Sequence, residues 1–380
     1  EKDNDCVREK KHNCYDNFSK FTSDALCKCF IHKAPVSINR SDSNALAYGH
    51  IKERECPTKT VSRKAYPQYP KEGTNYDEIS MIAFSKQTWQ DEPVVWIAND
   101  GSNNSIYASL LHSGKSLCTV DMKYTVMPST DLESISLGPC GASKTPICLF
   151  VADTGNNPAN VCKDDVCKKG RKITNFFKFE EPDIEKCVNT EKLSVDVARL
   201  PVQYYDTHTK LSKNADSEAM FVDYTGDDAG GMPGDIYVLT KWYKNPSLVR
   251  IHKYPSSLHQ KVMYGQSLQP YEMSSVDLSI QTRLQKSIWT GADMSTDGSL
   301  ILLRTYSASY TWRRNSYESV AKALKNKPCS NFFRSVKTKE FAKYESAAFY
   351  PNRNAIVEIS ECFKKKYGEC TPEVTVIEFE

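Results

Sequence analysis

Long hydrophobic runs are missing from this 380-residue chain. The longest purely apolar stretch covers residues 147–152, far short of the roughly 20 residues a membrane-spanning helix requires. A helical membrane span is therefore excluded. Zinc-site spacing is missing as well: there is no Cys-x2-Cys and no His-Glu-x-x-His, and the seven histidines are scattered. Without Gly-x-Ser-x-Gly there is no hydrolase nucleophile elbow. The dinucleotide fingerprint Gly-x-Gly-x-x-Gly and the phosphate-binding P-loop are also absent. So is any excess of one charge. Lys+Arg number 50 and Asp+Glu 47, a net +3, which argues against a nucleic-acid partner because such a protein needs a concentrated basic face. The first residues, Glu-Lys-Asp-Asn-Asp, carry no hydrophobic core of a signal peptide and read as a mature product. Neither end carries a lipidation motif.

Cysteine is abundant. Fourteen is an even number and high for a reducing compartment, so disulfides are the better reading than metal-thiolate sites. Cys140 with Cys148, Cys162 with Cys167 and Cys362 with Cys370 are spaced as local loop staples, while Cys6, Cys14, Cys27, Cys29 and Cys56 must pair among themselves or with the main body. Sequons begin at Asn17, Asn39 and Asn103. With the cysteines they point to a secreted, extracellular glycoprotein. Residues 1–60 read as a disulfide-tied N-terminal segment with a short helix near 16–27. The polar stretch 57–75, with Pro67 and Pro70, reads as a linker or covering loop.

From residue 76 to 380 the pattern is all-β. Short apolar runs at 79–84, 94–98, 106–111, 147–152, 236–240, 300–305, 355–359 and 374–379 alternate with Asn- and Asp-Gly-rich turns, which supply the positive φ of hairpins. The best helix candidate is 316–326. An acidic residue recurs ahead of a hydrophobic strand at Glu78, Glu133, Glu218, Asp293 and Glu345. The intervals of roughly 50–85 residues can each hold a four-stranded blade with insertions. A β-propeller places the first strand of each blade on the central channel. Five visible repeats, plus a degenerate one suggested by 193–205, predict six blades, with the C-terminal strand closing the last.

The segment Asp131-Leu-Glu133-Ser-Ile-Ser-Leu-Gly-Pro, followed by Leu149-Phe-Val-Ala-Asp153-Thr-Gly-Asn156-Asn157, resembles a family of secreted, mainly bacterial propellers of poorly defined function. Asn156 replaces that family's penultimate acid. Ala215-Asp216-Ser-Glu218 with residues 234–241, and Thr290-Gly-Ala-Asp293 with Leu303-Arg304-Thr-Tyr306, extend the resemblance over about 76–380. It implies an architecture related to NHL-type, phytase-like and lactonase-like propellers, and informs fold more than function.

Glu78, Glu133, Glu218, Asp293 and Glu345 on one channel would form an oxygen-rich ring suited to Ca²⁺, which takes oxygen ligands. The competing reading has these acids accept backbone N–H groups or pair with Arg304 and Lys241. Asp131, Asp153, Asp216, Arg304 and Tyr306 are the candidate ligand-binding residues, with turn capping or packing between blades as the alternatives. His112, His208, His252 and His259 fall between the motifs and are expected on the surface or in loops. The leading expectation is a secreted calcium-binding propeller that recognises a small molecule or a protein. A metal-dependent lactonase, esterase or phosphoesterase using the same ring is the runner-up. A structural extracellular module, assembled through residues 1–60, is the third.

Overall fold

The apolar runs fold as strands in the computed structural model. It describes residues 56–57, 60–67, 79–100, 104–124, 131–141, 146–155, 162–163, 166–167, 173–206, 211–213, 216–227, 230–241, 250–262, 264–276, 288–306, 308–316, 318–329, 333–334, 343–361 and 372–380. In chain order the strands and helices are β1 (Thr60–Pro67), β2 (Ile79–Trp89), β3 (Glu92–Asn99), β4 (Ser105–Leu110), β5 (Ser116–Lys123), β6 (Leu132–Pro139), β7 (Ile147–Asp153), β8 (Cys162–Lys163), β9 (Val166–Cys167), β10 (Thr174–Glu180), α1 (Ile184–Thr190), β11 (Lys192–Asp196), β12 (Ala198–Asp206), β13 (Leu211–Lys213), β14 (Asp216–Val222), β15 (Ile236–Lys241), β16 (Ile251–Tyr254), α2 (Ser256–His259), β17 (Tyr271–Val276), β18 (Trp289–Met294), β19 (Leu300–Thr305), β20 (Ala308–Arg313), α3 (Val320–Lys325), β21 (Phe333–Arg334), β22 (Lys343–Phe349), β23 (Ala355–Glu361) and β24 (Glu373–Phe379).

Pairing sorts these into blades led by β2, β6, β14, β18 and β22. The first blade is β2, β3, β4, β5 with β11 added parallel to β5. The second is β6, β7, β10, β12, and the third β14, β15, β16, β17; a short parallel contact between β12 and β17 makes these two blades one continuous sheet. The fourth is β18 to β21, and the fifth is β22, β23, β24 with β1 outermost. The five leading strands pack in a closed circuit: β2 on β6, β6 on β14, β14 on β18, β18 on β22 and β22 on β2. The chain is an all-β propeller of five blades.

Alternation along the strands explains why the ring holds. Successive side chains point to opposite faces, and in a propeller each face belongs to a different seam. On β2, Met81 and Ala83 enter the seam with the second blade, while Ile82 and Phe84 enter the seam with the fifth. On β14, Ala219 and Phe221 face the fourth blade, and Met220 and Val222 the second. Leu300, Leu302, Ala347 and Phe349 help fill the remaining seam. Five apolar clusters thus fill five seams. Strands buried on both faces need not alternate apolar with polar residues, which is why their sequences read as near-continuous hydrophobic runs. Each fully buried Val, Leu, Ile or Phe contributes about 1.5–3 kcal/mol.

Several expectations are corrected. There are five blades, not six. The long interval after Glu133 holds no hidden blade: part of 193–205 lies in β11, a fifth strand on the first blade, and the rest in β12, the outer strand of the second. The stretch expected to be a linker contains β1, which pairs antiparallel with β24 and closes the ring. Its polar sequence suits an outermost strand with one face in water. The expected helix at 316–326 forms as the shorter α3, capped by Ser319 Oγ accepting from the Lys322 N–H. Helix α1 was not anticipated, although Asp183 carries its signal: its carboxylate accepts from Lys186 N at 2.8 Å. His252 and His259 are core residues, 3% and 0% exposed. His252 packs edge-on to Tyr204, and burial together with nearby Lys178 pushes His259 down to about 3. The expected helix near 16–27, and His208, lie outside the described residues. Among the described residues no helix is long and apolar enough to cross a membrane.

Among the described residues three disulfides are present. Cys140 pairs with Cys148 across the β6–β7 hairpin, as expected. Cys118 on β5 pairs with Cys187 on α1 and pins that helix to the first blade. Cys56 pairs with Cys329, joining the approach to the closing strand to the loop after α3. Cys162 and Cys167 are opposite each other in the β8–β9 ladder. Cys362 and Cys370, and the four cysteines ahead of Cys56, lie outside the described residues.

Among the described residues two buried ion pairs cross seams. Arg304 on β19 donates to Glu358 on β23 at 2.5 Å, both side chains wholly buried, and Ser309 Oγ donates to the same oxygen at 2.7 Å. Arg314, after β20, reaches Asp223 of the third blade at 2.8 Å and the Gly226 carbonyl at 2.5 Å. Burial lowers the Arg304 pKa, and Glu358 opposes that shift. Removing one partner strands the other charge. Glu358→Ala is expected to cost about 3–5 kcal/mol in urea unfolding, and the double change Arg304→Met with Glu358→Leu should recover most of it. Gly291 packs against the fifth blade so closely that a Cβ would lie 2.8 Å from Ser346 Cα. Gly291→Ala should therefore lower the melting temperature measured in a thermal scan.

Candidate functional site

Every leading strand carries a register shift close to its start. The residue left over is Ser80 on β2, Glu133 on β6, Glu218 on β14, Thr290 on β18 and Glu345 on β22. A bulge removes one residue from the strict alternation and re-aims it. All five leftover residues are polar, all are buried, and none belongs to an apolar seam cluster. The far ends of the same strands meet around a cavity of about 30 Å³ lined by Ser85, Leu137, Tyr224, Met294 and Tyr350. The bulges therefore share the opposite end of the ring, the mouth.

This register revises the predicted five-acid ring. Glu133, Glu218 and Glu345 occupy equivalent positions. The fourth-blade equivalent is Thr290, and Asp293 stands three residues further along β18, where it accepts the Phe349 N–H at 2.8 Å. On β2 the position belongs to Ser80; Glu78 lies outside the described residues. Three carboxylates and two hydroxyls replace five carboxylates. Hydroxyl residues carry no charge signal, and only the strand register reveals them.

Loops at the mouth bring in further acids. Asp100 follows β3, Asp131 precedes β6, and their carboxylate oxygens and that of Glu133 all lie within 4.8 Å of one another. Asp216 opens β14 and is also buried. The Glu133 carboxyl is held well above its ordinary pKa, first by burial and then by Asp100, Asp131 and Asp216, with Lys241 opposing. Glu218 forms a buried ion pair with Lys241, the last residue of β15, and the Lys241 ammonium lies 5.3 Å from the Tyr306 ring centroid. Glu345 adds to the field that keeps Arg304 charged. A cation thus stands near Glu218 and near Glu345, while Glu133 is surrounded chiefly by acids. The backbone after β7 walls this corner. A Cβ on Gly155 would meet Asp131 Oδ2 at 2.3 Å and Glu133 Oε1 at 2.4 Å, so any larger residue there would push the two carboxylates aside.

The remaining predicted residues divide into two kinds. Asp131, Asp216 and Tyr306 lie at the mouth with Glu133, Glu218 and Lys241. Asp153 braces it: one oxygen accepts the Asp131 N–H at 2.8 Å and the other the Asn175 amide at 3.0 Å, and Asn175 Oδ1 accepts from Arg199 Nε at 2.8 Å. Arg304 is committed to Glu358 across the seam between the fourth and fifth blades. The sequence reading missed Ser80, Thr290, Asp100 and Gly155, whereas the pairing of Lys241 with an acid is observed.

The donors suit a hard cation. Ser80 Oγ and Glu218 Oε2 are buried and have no hydrogen-bond partner among the described residues. Buried oxygens without partners are costly in the absence of an ion or water. An all-oxygen set with several carboxylates fits Ca²⁺ better than zinc or copper.

Comparison with family models and with curated proteins finds no match. Among solved structures the chain is similar to one titled "Structure of U3-55K", at 8% identity and a TM-score of 0.33, over 79% of this chain and 68% of that one.

Proposed function

We propose that the chain is a secreted, calcium-binding propeller that uses its mouth to recognise a small molecule or a protein. The observation that carries this reading is the electrostatic imbalance at the mouth. Buried Glu133 stands among Asp100, Asp131 and Asp216, opposed by the Lys241 ammonium that also pairs with Glu218. Such an array demands protons or a cation. The unpartnered oxygens of Ser80 and Glu218 favour a cation held at the bulges. Three disulfides fit an oxidising compartment, where calcium is plentiful and even a site of 10⁻⁴–10⁻³ M, roughly the range of extracellular modules, would fill.

The runner-up is a metal-dependent hydrolase. It is favoured by Asp100 and Asp131, which are only half-buried beside the buried Glu133 and could hold water or substrate against a bound ion. A panel of lactones, carboxyl esters and phosphoesters separates the two. The binding reading expects no calcium-dependent turnover, whereas turnover that is lost in Asp131→Asn would establish the hydrolase.

Two measurements test the cation itself. After chelation, millimolar CaCl₂ should raise the melting temperature and release heat on titration, and Glu133→Gln and Glu218→Gln should each weaken binding at least tenfold. An absence of heat in the wild type sinks the reading. The second is pH dependence in chelator. A glutamate with a raised folded pKa binds more protons folded than unfolded, so its contribution to stability falls as pH climbs above its ordinary value of 4.5. His259 has the opposite sign, since its pKa is depressed and its contribution is lost as pH falls below 6.5. The difference between wild type and Glu133→Gln isolates the carboxyl. Without calcium the variant should gain on the wild type as pH rises from 5 to 8, and calcium should abolish the gain.

A further inference from the structure

Away from the mouth, a cleft of about 390 Å³ opens where the outer strands of the first and second blades meet. That volume falls within the usual range for small-molecule sites. Its walls are fixed by backbone bonds. Gly265 N donates to Val197 O at 3.0 Å, Arg199 N to Gln266 O at 2.8 Å and Leu268 N to Arg199 O at 3.1 Å. The Tyr124 ring stacks on Phe177 at 4.4 Å, so this wall is rigid too. Met122, Val197 and Tyr124 supply apolar surface, and Lys123 and Arg199 line the same space with Asp196.

Arg199 is the informative residue. It is half-buried, and its Nε is committed to Asn175 Oδ1. Among the described residues neither Arg199 nor Lys123 forms an ion pair. A guanidinium oriented through Nε keeps two terminal amino groups for a planar oxyanion. Two cations against one carboxylate leave the cleft one positive charge in excess, which matches a monoanion better than a doubly charged phosphate.

We infer that this cleft binds an organic monocarboxylate, its carboxylate on Arg199 and Lys123 and its apolar body against Tyr124 and Val197. Benzoate and its neutral isostere benzamide are the probes, read by saturation-transfer NMR and calorimetry on the full chain. Chelator is present throughout, so that no cation at the mouth can recruit the carboxylate. Benzoate should bind at least tenfold more tightly than benzamide. Arg199→Gln should erase that preference, and Lys123→Gln, at an exposed position, should reduce it several-fold with an unchanged melting temperature. Equal binding of the two probes, no benzoate binding up to 10 mM, or a preference that survives Lys123→Gln would each overturn the assignment.

Discussion

Each leading strand must satisfy two seams at once, and the rest of the molecule follows from that constraint. Odd and even side chains go to different neighbours, as Met81 and Ile82 do, so the ring is held by apolar packing on both sides of every blade. A polar residue at the start of such a strand fits neither seam. The bulges resolve the conflict by taking Ser80, Glu133, Glu218, Thr290 and Glu345 out of the alternation. The same device, used once per blade, collects oxygens at one end of the ring.

The collected charge is unevenly compensated. Glu218 has Lys241, and Glu345 lies in the field of Arg304. Glu133 has three acids for neighbours and is buried. It is therefore the group whose pKa reports on the mouth: burial and its acidic neighbours raise it, and a nearby positive charge opposes that shift. Asp153, Asn175 and Arg199 hold the Asp131 backbone in place from the outer strands of the second blade, so the acidic corner is set by the blade and not by the loop alone.

Much of this was legible in the sequence. The propeller class followed from short apolar runs between Asp-Gly and Asn-rich turns, and Glu133, Glu218 and Glu345 were picked out because a charge before a hydrophobic strand is conspicuous. The blade count failed because the interval from Glu133 to Glu218 contains a hairpin, a helix and an extra strand, which lengthen one repeat without adding a blade. Asp293 was aligned by its charge, but register assigns that position to Thr290, and a threonine before an apolar strand looks like any other. The closing strand β1 was hidden by its polar, proline-bearing sequence. Its partner β24 begins at Glu373, paired with Pro67, and no local pattern encodes so distant a pairing.

The central claim is that a cation is held at the mouth through the bulge residue Glu133. Anomalous diffraction from crystals soaked in terbium, an oxygen-seeking stand-in for calcium, tests it most directly. The account predicts a strong peak at the mouth, about 2.3–2.6 Å from a carboxylate oxygen of Glu133, on the side where Asp100 and Asp131 lie within 4.8 Å of it. No peak at the mouth, or a peak held by Asp100 and Asp131 without Glu133, would contradict it.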